Sequence, residues 1–463
     1  MTTRREFIKT SGITGAAFLS GFDAFSTPAS NAQPKLITIS DVNSNFEREP
    51  LIRPFGFKGG YMTEIWQTVN YLKSSSGEHQ IGLCTQNVLW SDAKVFASHS
   101  ESGGNALMFA LTERALQIMK GQTFSTPVEL LDNILPEVYA YGQKITSNPQ
   151  LRKTFALNAL VGTDNAAWLL YAKENGYKNF DEMIPKAYRP ALSNHHSKAA
   201  AIPLMAYSIP INEIQAAVEQ GYFFMKIKIG QPGTQEEMLE KDKARLTAIH
   251  QAIGNVRTPH TKDGKLPYYF DANGRYEKKE MLLRLIDHAK KIGAFDQIAI
   301  IEEPFAEELE FNVSDIPVRL AADESAHTDA DAIKRIEMGY KAIALKAIAK
   351  TLSMTMKIAQ VAHERNIPCF CADLTINPIL VEWNKNVAGR LNSFPGIGNL
   401  GLVESNGHQN YKNWETMMSY HPRKDGAWVR ATKGVYELNE EFYRTGGGIF
   451  DPMPHYEEMF TSK

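Results

Sequence analysis

The chain has few cysteines, no excess of charge of either sign and no long apolar run. Its 463 residues include only three cysteines, Cys84, Cys369 and Cys371, too few and too scattered for a disulfide framework or a zinc site. With 50 Lys and Arg against 52 Asp and Glu, the composition disfavours a nucleic acid or an anionic membrane as the main partner. No apolar run reaches the ~20 residues of a permanent membrane span. The sequence therefore predicts a globular protein, with two or three domains at ~100 to 200 residues each.

The first 32 residues have the pattern of an export signal. The paired arginines Arg4 and Arg5 precede a mildly apolar stretch over 13–22 and a run of small residues that ends at Ala32. This order is typical of a twin-arginine signal that is cleaved after Ala32. We therefore expect the twin-arginine export machinery as a partner and the periplasm as the location. The alternative is a basic start that folds with the domain.

The mature chain shows two kinds of pattern. Over 36–90 apolar and polar residues alternate, which predicts three antiparallel strands, the first two joined by a long polar loop over 43–60. Helical spacing follows over 105–175. We therefore expect an α+β front domain over 33–195. The segment 411–463 is longer than the second domain needs, and we expect it to return to this front domain.

Beyond residue 200, short apolar runs alternate with amphipathic helices, a pattern that predicts βα units and a parallel sheet. The fold class is therefore α/β, with a (β/α)8-type barrel over 196–410. The eight predicted strands are 203–209, 223–229, 268–271, 298–302, 318–323, 342–346, 368–372 and 399–404. The predicted helices between them include 236–253, 279–292, 329–338 and 352–364.

The ends of these strands carry lysines and carboxylates in a regular series. Strands two to six end in turn with Lys226 and Lys228, Asp271 and Asn273, Glu302 and Glu303, Asp323 and Glu324, and Lys346. Side chains at the C-terminal ends of barrel strands converge on one mouth. Carboxylates that meet there repel one another unless a cation lies among them, and oxygen ligands suit Mg²⁺, with Mn²⁺ as the alternative. The competing interpretation is that each acid caps a helix or pairs with a lysine across the barrel.

The series Lys-x-Lys, Asp-x-Asn, Glu-Glu-Pro, Asp-Glu-Ser and Leu-Lys, in this order, resembles the enolase superfamily, specifically its muconate lactonizing enzyme subgroup. The resemblance covers nearly the whole mature chain, because the front domain and the returning tail match the capping domain of that superfamily. It implies metal ligands at Asp271, Glu302 and Asp323, opposed acid/base residues at Lys228 and Lys346, and an electrostatic neighbour at Lys226. Glu302 is preferred to Glu303 because the ligand of the family lies two residues before the proline. Asn273 and Glu324 are expected to support the ligands, and Arg53 and Glu404 are candidate substrate contacts.

The resemblance implies an enzyme that removes the proton alpha to a carboxylate through an enediolate. The metal and Lys226 would place positive charge where the negative charge develops. A racemase or epimerase of an amino-acid or dipeptide-like acid is the first expectation, because lysines on opposite strands suit 1,1-proton transfer. A cycloisomerase or dehydratase with the same site is the alternative. A third reading is an exported protein that binds a small-molecule carboxylate without catalysis.

Two departures limit the choice of substrate. Strand eight reads Glu404-Ser405-Asn406 where the dipeptide epimerases carry Asp-x-Asp, and this weakens a dipeptide assignment. Strand seven lacks the catalytic His of the mandelate racemase subgroup, and His363 falls inside the preceding helix. The sequence leaves the substrate and the oligomeric state open, a homo-oligomer included.

Overall fold

The computed structural model describes residues 34–57 and 60–461. The predicted export signal lies outside the described residues. Within them, no helix is both long enough and apolar enough to cross a membrane. The three cysteines are unpaired and buried, as expected for thiols in a core.

A four-stranded antiparallel sheet begins the described chain. Its strands are β1 (Ile37–Phe57), β2 (Gly60–Ser74), β3 (His79–Gln86) and β4 (Thr123–Phe124), in the order β3-β2-β1-β4. The predicted polar loop over 43–60 is wrong, because β1 pairs with β2 from Ile39 opposite Ser74 to Phe57 opposite Gly60. This pairing satisfies the hydrogen-bonding groups of the β1 backbone. Many polar side chains of β1 stay exposed or half-buried, so the sequence of this segment lacks the alternation of apolar and polar residues that marks a half-buried strand.

Among the described residues, six α-helices complete the front domain, and the longest is buried along most of its length. They are α1 (Val88–Ser91), α2 (Ala93–Ser98), α3 (Glu101–Met119), α4 (Pro127–Ile145), α5 (Lys153–Asn175) and α6 (Phe180–Met183). Helix α5 packs directly on β3 at two glycines. A Cβ atom built on Gly82 would lie 2.1 Å from the carbonyl oxygen of Gly162, so the two backbones approach closely only because no side chain intervenes.

The second domain is a barrel of parallel strands. They are β5 (Lys198–Ile202), β6 (Leu204–Met205), β7 (Met225–Lys228), β8 (Tyr268–Asp271), β9 (Ile298–Glu302), β10 (Leu320–Ala322), β11 (Ala342–Leu345), β12 (Cys369–Cys371) and β13 (Gly401–Glu404). Only Pro203 separates β5 from β6. Because β5 pairs with β13 and β6 pairs with β7, the segment acts as one strand that closes the sheet. A short strand, β14 (Val435–Glu437), adds to β5 in the antiparallel sense.

Two details of the barrel differ from the sequence prediction. The first strand begins at Lys198 rather than 203, because the small residues Ala199, Ala200 and Ala201 are buried between β13 and β14 without the bulky apolar side chains that mark a strand. Among the described residues, no helix connects β9 to β10. The barrel helices are α7 (Ile211–Glu219), α8 (Gln235–Ile253), α9 (Lys279–Lys291), α10 (Asp329–Glu337), α11 (Ala347–Lys350), α12 (Leu352–Glu364) and α13 (Pro378–Ala388).

The C-terminal segment contacts the front domain as well as the barrel. Helix α14 (Gly407–Asn410) precedes it, and it contains α15 (Trp414–Ser419), α16 (Glu440–Thr445) and α17 (Pro454–Glu457). The Nδ2 atom of Asn413 donates to Glu49 at 3.1 Å, and the Nε2 atom of Gln67 donates to the hydroxyl of Tyr411 at 2.8 Å. These bonds join the hairpin of β1 and β2 to the C-terminal segment.

Candidate active site

The barrel brings the predicted lysines and carboxylates to one mouth. Strands β7, β8 and β9 are adjacent, and their register sets Lys228 beside Asp271 and Asp271 beside Glu302. Residue Asp323 follows the next strand, β10, and Lys346 follows β11. All these side chains are at least nine-tenths buried, and that of Lys228 is the most exposed of them at 10%.

Lys226 lies at the centre of the acidic side chains. Its Nζ atom is 2.8 Å from Glu302, 3.0 Å from Asp271 and 3.2 Å from Glu404. Burial alone would lower the pKa of Lys226, but the three carboxylates outweigh it and raise this pKa well above the usual value. Lys226 is therefore a fixed positive charge, the role that the resemblance implies.

The two proposed acid/base lysines are each held by a carboxylate. Lys228 Nζ donates to Asp271 at 2.6 Å and to the side-chain oxygen of Asn273 at 2.5 Å. Lys346 Nζ donates to Asp323 at 2.5 Å. Burial tends to lower the pKa of Lys346, but the charge of Asp323 outweighs it and raises this pKa. In this arrangement Lys346 carries its proton.

The carboxylates of the mouth form two groups. Oxygens of Glu302, Asp323 and Glu324 all lie within 4.8 Å of one another. Asp271 instead meets Glu302 through Lys226. The structure thus brings together two of the three predicted metal ligands with Glu324, which the sequence assigned a supporting role. Asn273 joins the groups, since its Nδ2 atom donates to Glu324 at 3.0 Å and to Asp271 at 3.2 Å.

Burial and charge act on these acids in opposite directions. Burial raises the pKa of Glu302 well above its usual value, and the nearby Asp271 and Asp323 add to the effect. The pKa values of Asp271 and Asp323 are lowered despite burial, because Lys226 and Lys228 face the first and Lys346 and Lys350 face the second. The acid with a raised pKa lies between the two with lowered values.

The donor set of the mouth fits a divalent cation. Among the described residues, six buried carboxyl groups surround the mouth against four buried lysines: Asp271, Glu302, Asp323, Glu324, Asp373 and Glu404 against Lys226, Lys228, Lys346 and Lys350. Carboxylate oxygens within 4.8 Å of one another are ligands that Mg²⁺ prefers. Asp271, Glu302, Asp323 and Glu324 are the residues that could hold it.

Glu303, which the sequence comparison set aside in favour of Glu302, bonds to the backbone of the next strand end. Its Oε2 atom accepts hydrogen bonds from the backbone N–H of Asp323 at 2.7 Å and of Ser325 at 3.3 Å. Burial and the charge of Glu324 raise the pKa of Glu303 to about 7. Glu303 therefore shapes the turn that presents Asp323.

The loops around the mouth are conformationally strained. Among the described residues, four non-glycine residues with positive φ follow barrel strands or the short helix after one: Asn273 at 45°, Glu303 at 39°, Thr351 at 71° and Thr375 at 69°. Such conformations cost energy and persist where the surrounding structure enforces them, often at functional sites. Their position at one end of the barrel supports a functional mouth.

Three residues that the sequence reading missed also line or contact the mouth. Lys350 is fully buried, and its Nζ atom donates to the backbone oxygen of Asp323 at 2.6 Å. Asp373 follows β12, and burial with the charge of Glu404 raises its pKa to about 7. Trp90 comes from the front domain. A carboxylate after the seventh strand was a visible signal, whereas nothing local in the sequence marks Trp90.

The two candidate substrate contacts have different positions. Glu404 lines the cavity at the mouth, but it is engaged by Lys226 and by the side chain of Asn406. Arg53 is exposed on β1, and the structure does not bring it into the cavity lining. The front domain contributes Phe55, Met62 and Trp90 instead.

Comparisons with known proteins agree with this geometry. Residues 211–427 match the model of the enolase C-terminal domain-like family. Solved structures with the same fold include a mandelate racemase/muconate lactonizing protein from Herpetosiphon aurantiacus, with 16% identity, a TM-score of 0.60 and coverage of 86% of this chain and 95% of that one. No curated protein sequence matches significantly.

Two further solved structures have activities in their names. A dipeptide epimerase from Enterococcus faecalis V583, complexed with Mg and the dipeptide L-Leu-L-Tyr, has 16% identity and a TM-score of 0.60, over 87% of this chain and 98% of that one. An N-succinyl Arg/Lys racemase from Bacillus cereus ATCC 14579 has 14% identity and a TM-score of 0.59, over 81% and 89%. At these identities the similarity establishes the shared fold.

Proposed function

We propose that this chain, whose residues 211–427 match the enolase C-terminal domain-like family, is an enolase-superfamily racemase or epimerase that moves the proton alpha to a carboxylate. The observation that carries the proposal is the placement of Lys228 and Lys346. Lys228 ends β7 and Lys346 follows β11, and these strands are four apart in a closed barrel of eight. The two ammonium groups therefore approach the mouth from opposite sides, and the carboxylates lie between them.

The surrounding residues hold each lysine for proton transfer. Asn273 and Asp271 fix Lys228, and Asp323 fixes Lys346. Lys226 supplies a permanent positive charge where the substrate carboxylate becomes more negative as its alpha proton leaves. Mg²⁺ held by the carboxylates would add positive charge there and lower the pKa of neighbouring lysines. One lysine then removes the proton, and the other returns one to the opposite face.

The solved racemase and epimerases with this fold support the reaction class. For the substrate, we propose an amino-acid or dipeptide-like acid. A cycloisomerase or a dehydratase would use the same lysines, so the product decides between these reactions. A protein that only binds a carboxylate would need no opposed pair of lysines.

Exchange of the alpha proton tests the proposal. The purified protein with Mg²⁺ in D2O should remove the alpha-proton NMR signal from at least one member of a panel of N-acyl amino acids, dipeptides and hydroxyproline derivatives. Lys228→Ala and Lys346→Ala should each lose net turnover by ~10² to 10⁴-fold, the usual contribution of a general acid or base. Each variant should still exchange the proton of one enantiomer, and the two enantiomers should be opposite.

The control is Lys279→Ala, which removes a lysine that pairs with Asp315 at the surface and should leave exchange unchanged. If both mouth variants turned over like the wild type, the lysines would not be the acid and base. A product that has lost a hydroxyl, with exchange dependent on one lysine alone, would indicate elimination. Binding without any exchange across the panel would favour the non-catalytic alternative.

A further inference from the structure

Tyr269 lies inside the barrel, directly below the mouth. Side chains alternate between the two faces of a strand, so Tyr269 shares a face of β8 with Asp271, two residues further along. Its side chain is fully buried. Two phenylalanines lie beside the ring, whose centroid is 5.6 Å from that of Phe224 and 5.4 Å from that of Phe370. Packing against these apolar rings therefore holds the phenol in place.

The hydroxyl of Tyr269 donates a hydrogen bond to the Oε2 atom of Glu302. The other oxygen, Oε1, accepts a hydrogen bond from Lys226 Nζ at 2.8 Å. Glu302 is fully buried. Because a separate donor is fixed at each oxygen, a rotation of the Glu302 carboxyl group would break at least one of the two bonds. Tyr269 and Lys226 together set the orientation of this group.

These two bonds leave acceptor positions on Glu302 for a cation. An ionised carboxylate has about four lone-pair positions on its two oxygens. Tyr269 and Lys226 use one position on each oxygen. An oxygen of Glu302 also lies within 4.8 Å of oxygens of Asp323 and Glu324. The bond from Tyr269 is therefore compatible with Glu302 as a metal ligand.

The phenol of Tyr269 differs from the lysines of the mouth because it is uncharged. A tyrosine has a usual pKa of ~10 and is neutral at pH 7. A lysine beside a ligand holds that ligand but also repels a divalent cation, whereas a neutral donor holds the ligand without this repulsion. A hydrogen bond donated to an ionised carboxylate is also roughly twice as strong as one between neutral groups. Tyr269 thus orients Glu302 and leaves its negative charge available to the metal.

From these contacts we infer that Tyr269 is a positioning residue for the metal at the mouth. Its hydroxyl holds the Glu302 carboxylate in the orientation that binds Mg²⁺, and it does so from below the mouth without adding charge. The inference deepens the proposed function and rests on it for the presence of the metal. Because Tyr269 acts on metal binding, its role is measured with Mg²⁺ alone.

Calorimetric titration with Mg²⁺ tests the inference. Tyr269→Phe keeps the ring and removes the hydroxyl, so the Mg²⁺ affinity should fall ~10- to 100-fold, the usual cost of losing a partner of a metal ligand. The matched control is Tyr268→Phe, the same substitution at the preceding residue. The hydroxyl of Tyr268 lies on the opposite face of β8, at 2.9 Å from Nδ1 of His250. Tyr268→Phe should bind Mg²⁺ like the wild type.

A double-mutant cycle determines whether Tyr269 acts through Glu302. In the Glu302→Gln background, the loss of the phenol should lower the Mg²⁺ affinity by less than ~2-fold, because the charged oxygen that it holds is already gone. A general loosening of the barrel would instead lower the affinity equally in both backgrounds. The melting temperatures of Tyr269→Phe and Tyr268→Phe without Mg²⁺ should be similar, since each variant loses one buried hydrogen bond.

Fluorine NMR of the wild type provides a measurement that does not depend on the folding of any variant. In protein labelled with 3-fluorotyrosine, at least one resonance of the 18 tyrosines should shift as Mg²⁺ is added. The resonance that shifts should be absent from the spectrum of Tyr269→Phe and present in that of Tyr268→Phe. This assigns the response to the phenol that contacts Glu302.

Four outcomes would overturn the inference: unchanged Mg²⁺ affinity in Tyr269→Phe, an equal loss in Tyr268→Phe, an equal loss in both backgrounds of the cycle, or no tyrosine resonance that responds to Mg²⁺. If Glu302→Gln weakens Mg²⁺ binding and Tyr269→Phe does not, the metal site stands and the inference alone fails. If Tyr269→Phe weakens Mg²⁺ binding as expected and the wild type exchanges no alpha proton in D2O, the proposed function fails while the inference stands.

Discussion

At the scale of single residues, four carboxylates at the mouth could bind Mg²⁺, which proteins usually hold with fewer carboxylates. Glu302 and Asp323 belong both to the predicted ligand set and to the group of oxygens within 4.8 Å that the structure forms. Asp271 and Glu324 differ in their surroundings. Two lysines form ion pairs with Asp271, whereas Glu324 lies with Glu302 and Asp323 in that group of oxygens. Calorimetry can separate their roles.

We expect Asp271→Asn, Glu302→Gln and Asp323→Asn each to weaken Mg²⁺ binding at least ~10-fold, because each removes a negative oxygen ligand; even supporting groups at metal sites cost this much. Glu324→Gln should have a smaller effect if Glu324 only supports the ligands. The measurement is Mg²⁺ titration by calorimetry, with the melting temperature as the check on folding. Unchanged affinity in the first three variants would show that the metal site is misplaced, and a larger loss in Glu324→Gln than in Asp271→Asn would exchange their roles.

At the scale of secondary structure elements, helix α5 connects the front domain to the barrel. Its Asp164 accepts hydrogen bonds from the backbone N–H of Ser353 at 3.1 Å and from the Ser353 hydroxyl at 2.5 Å, in the first turn of α12. Burial raises the pKa of Asp164 to about 7, despite these bonds. The carboxyl group is thus more easily protonated in the folded protein than in the unfolded chain.

This shift predicts a pH dependence of stability. Because the folded pKa lies above the unfolded value, the contribution of Asp164 is complete below pH ~4 and is lost as the pH rises toward 7, by up to ~1.4 kcal/mol per pH unit. Asp164→Asn removes the titration, so its free energy of unfolding should rise relative to the wild type over this range and then level off. Urea unfolding at several pH values measures the difference. Parallel curves for the two proteins would contradict the prediction.

The contact of β3 with α5 gives a prediction at the same scale. Gly82→Ala should destabilise the protein by at least ~1 to 3 kcal/mol, because the added Cβ would meet the backbone of Gly162 and Ala166, which cannot move aside like a flexible side chain. The free energy of unfolding in urea measures the loss. Gly103→Ala is the control, since it lies in helix α3 near only a serine hydroxyl and a histidine Cβ, and it should be neutral or stabilising. Equal stability of the two variants would refute the close contact.

At the scale of the whole molecule, the site is assembled from both domains. The barrel supplies the lysines and carboxylates, and the front domain supplies Phe55, Met62 and Trp90. Bonds such as that of Asn87 to Leu374 hold the two domains together at the cavity. Stability of the front domain and shape of the substrate cavity are therefore coupled.

We also propose that the whole protein is exported through the twin-arginine route. Replacing Arg4 and Arg5 with Lys should leave the protein in the cytoplasm, because the receptor reads the paired arginines. Cell fractionation measures the distribution, and Lys9→Arg, which keeps the pair, is the control. Periplasmic accumulation of the double variant at the normal level would remove the proposal.

The sequence by itself determined the order of chemical groups around the barrel. Strands alternate side chains between two faces, and parallel strands present their C-terminal ends at one mouth, so local patterns place Lys226, Lys228, Asp271, Glu302 and Asp323 together. Helix boundaries were also close to the prediction, because capping residues and amphipathic spacing are local signals. The 352–364 helix begins and ends where the pattern predicts.

Only the tertiary structure decided which groups meet across the mouth. The contact of Trp90 with Lys346 and the bond of Lys350 to Asp323 join residues distant in sequence, and no local periodicity encodes them. The polar strand β1 likewise forms because β2 pairs with the hydrogen-bonding groups of its backbone. Backbone pairing of this kind leaves little hydrophobic pattern in the sequence. Local sequence patterns determine which side chains each strand or helix places at the mouth. Packing and charge pairing between residues far apart in the sequence determine which of these side chains contact one another.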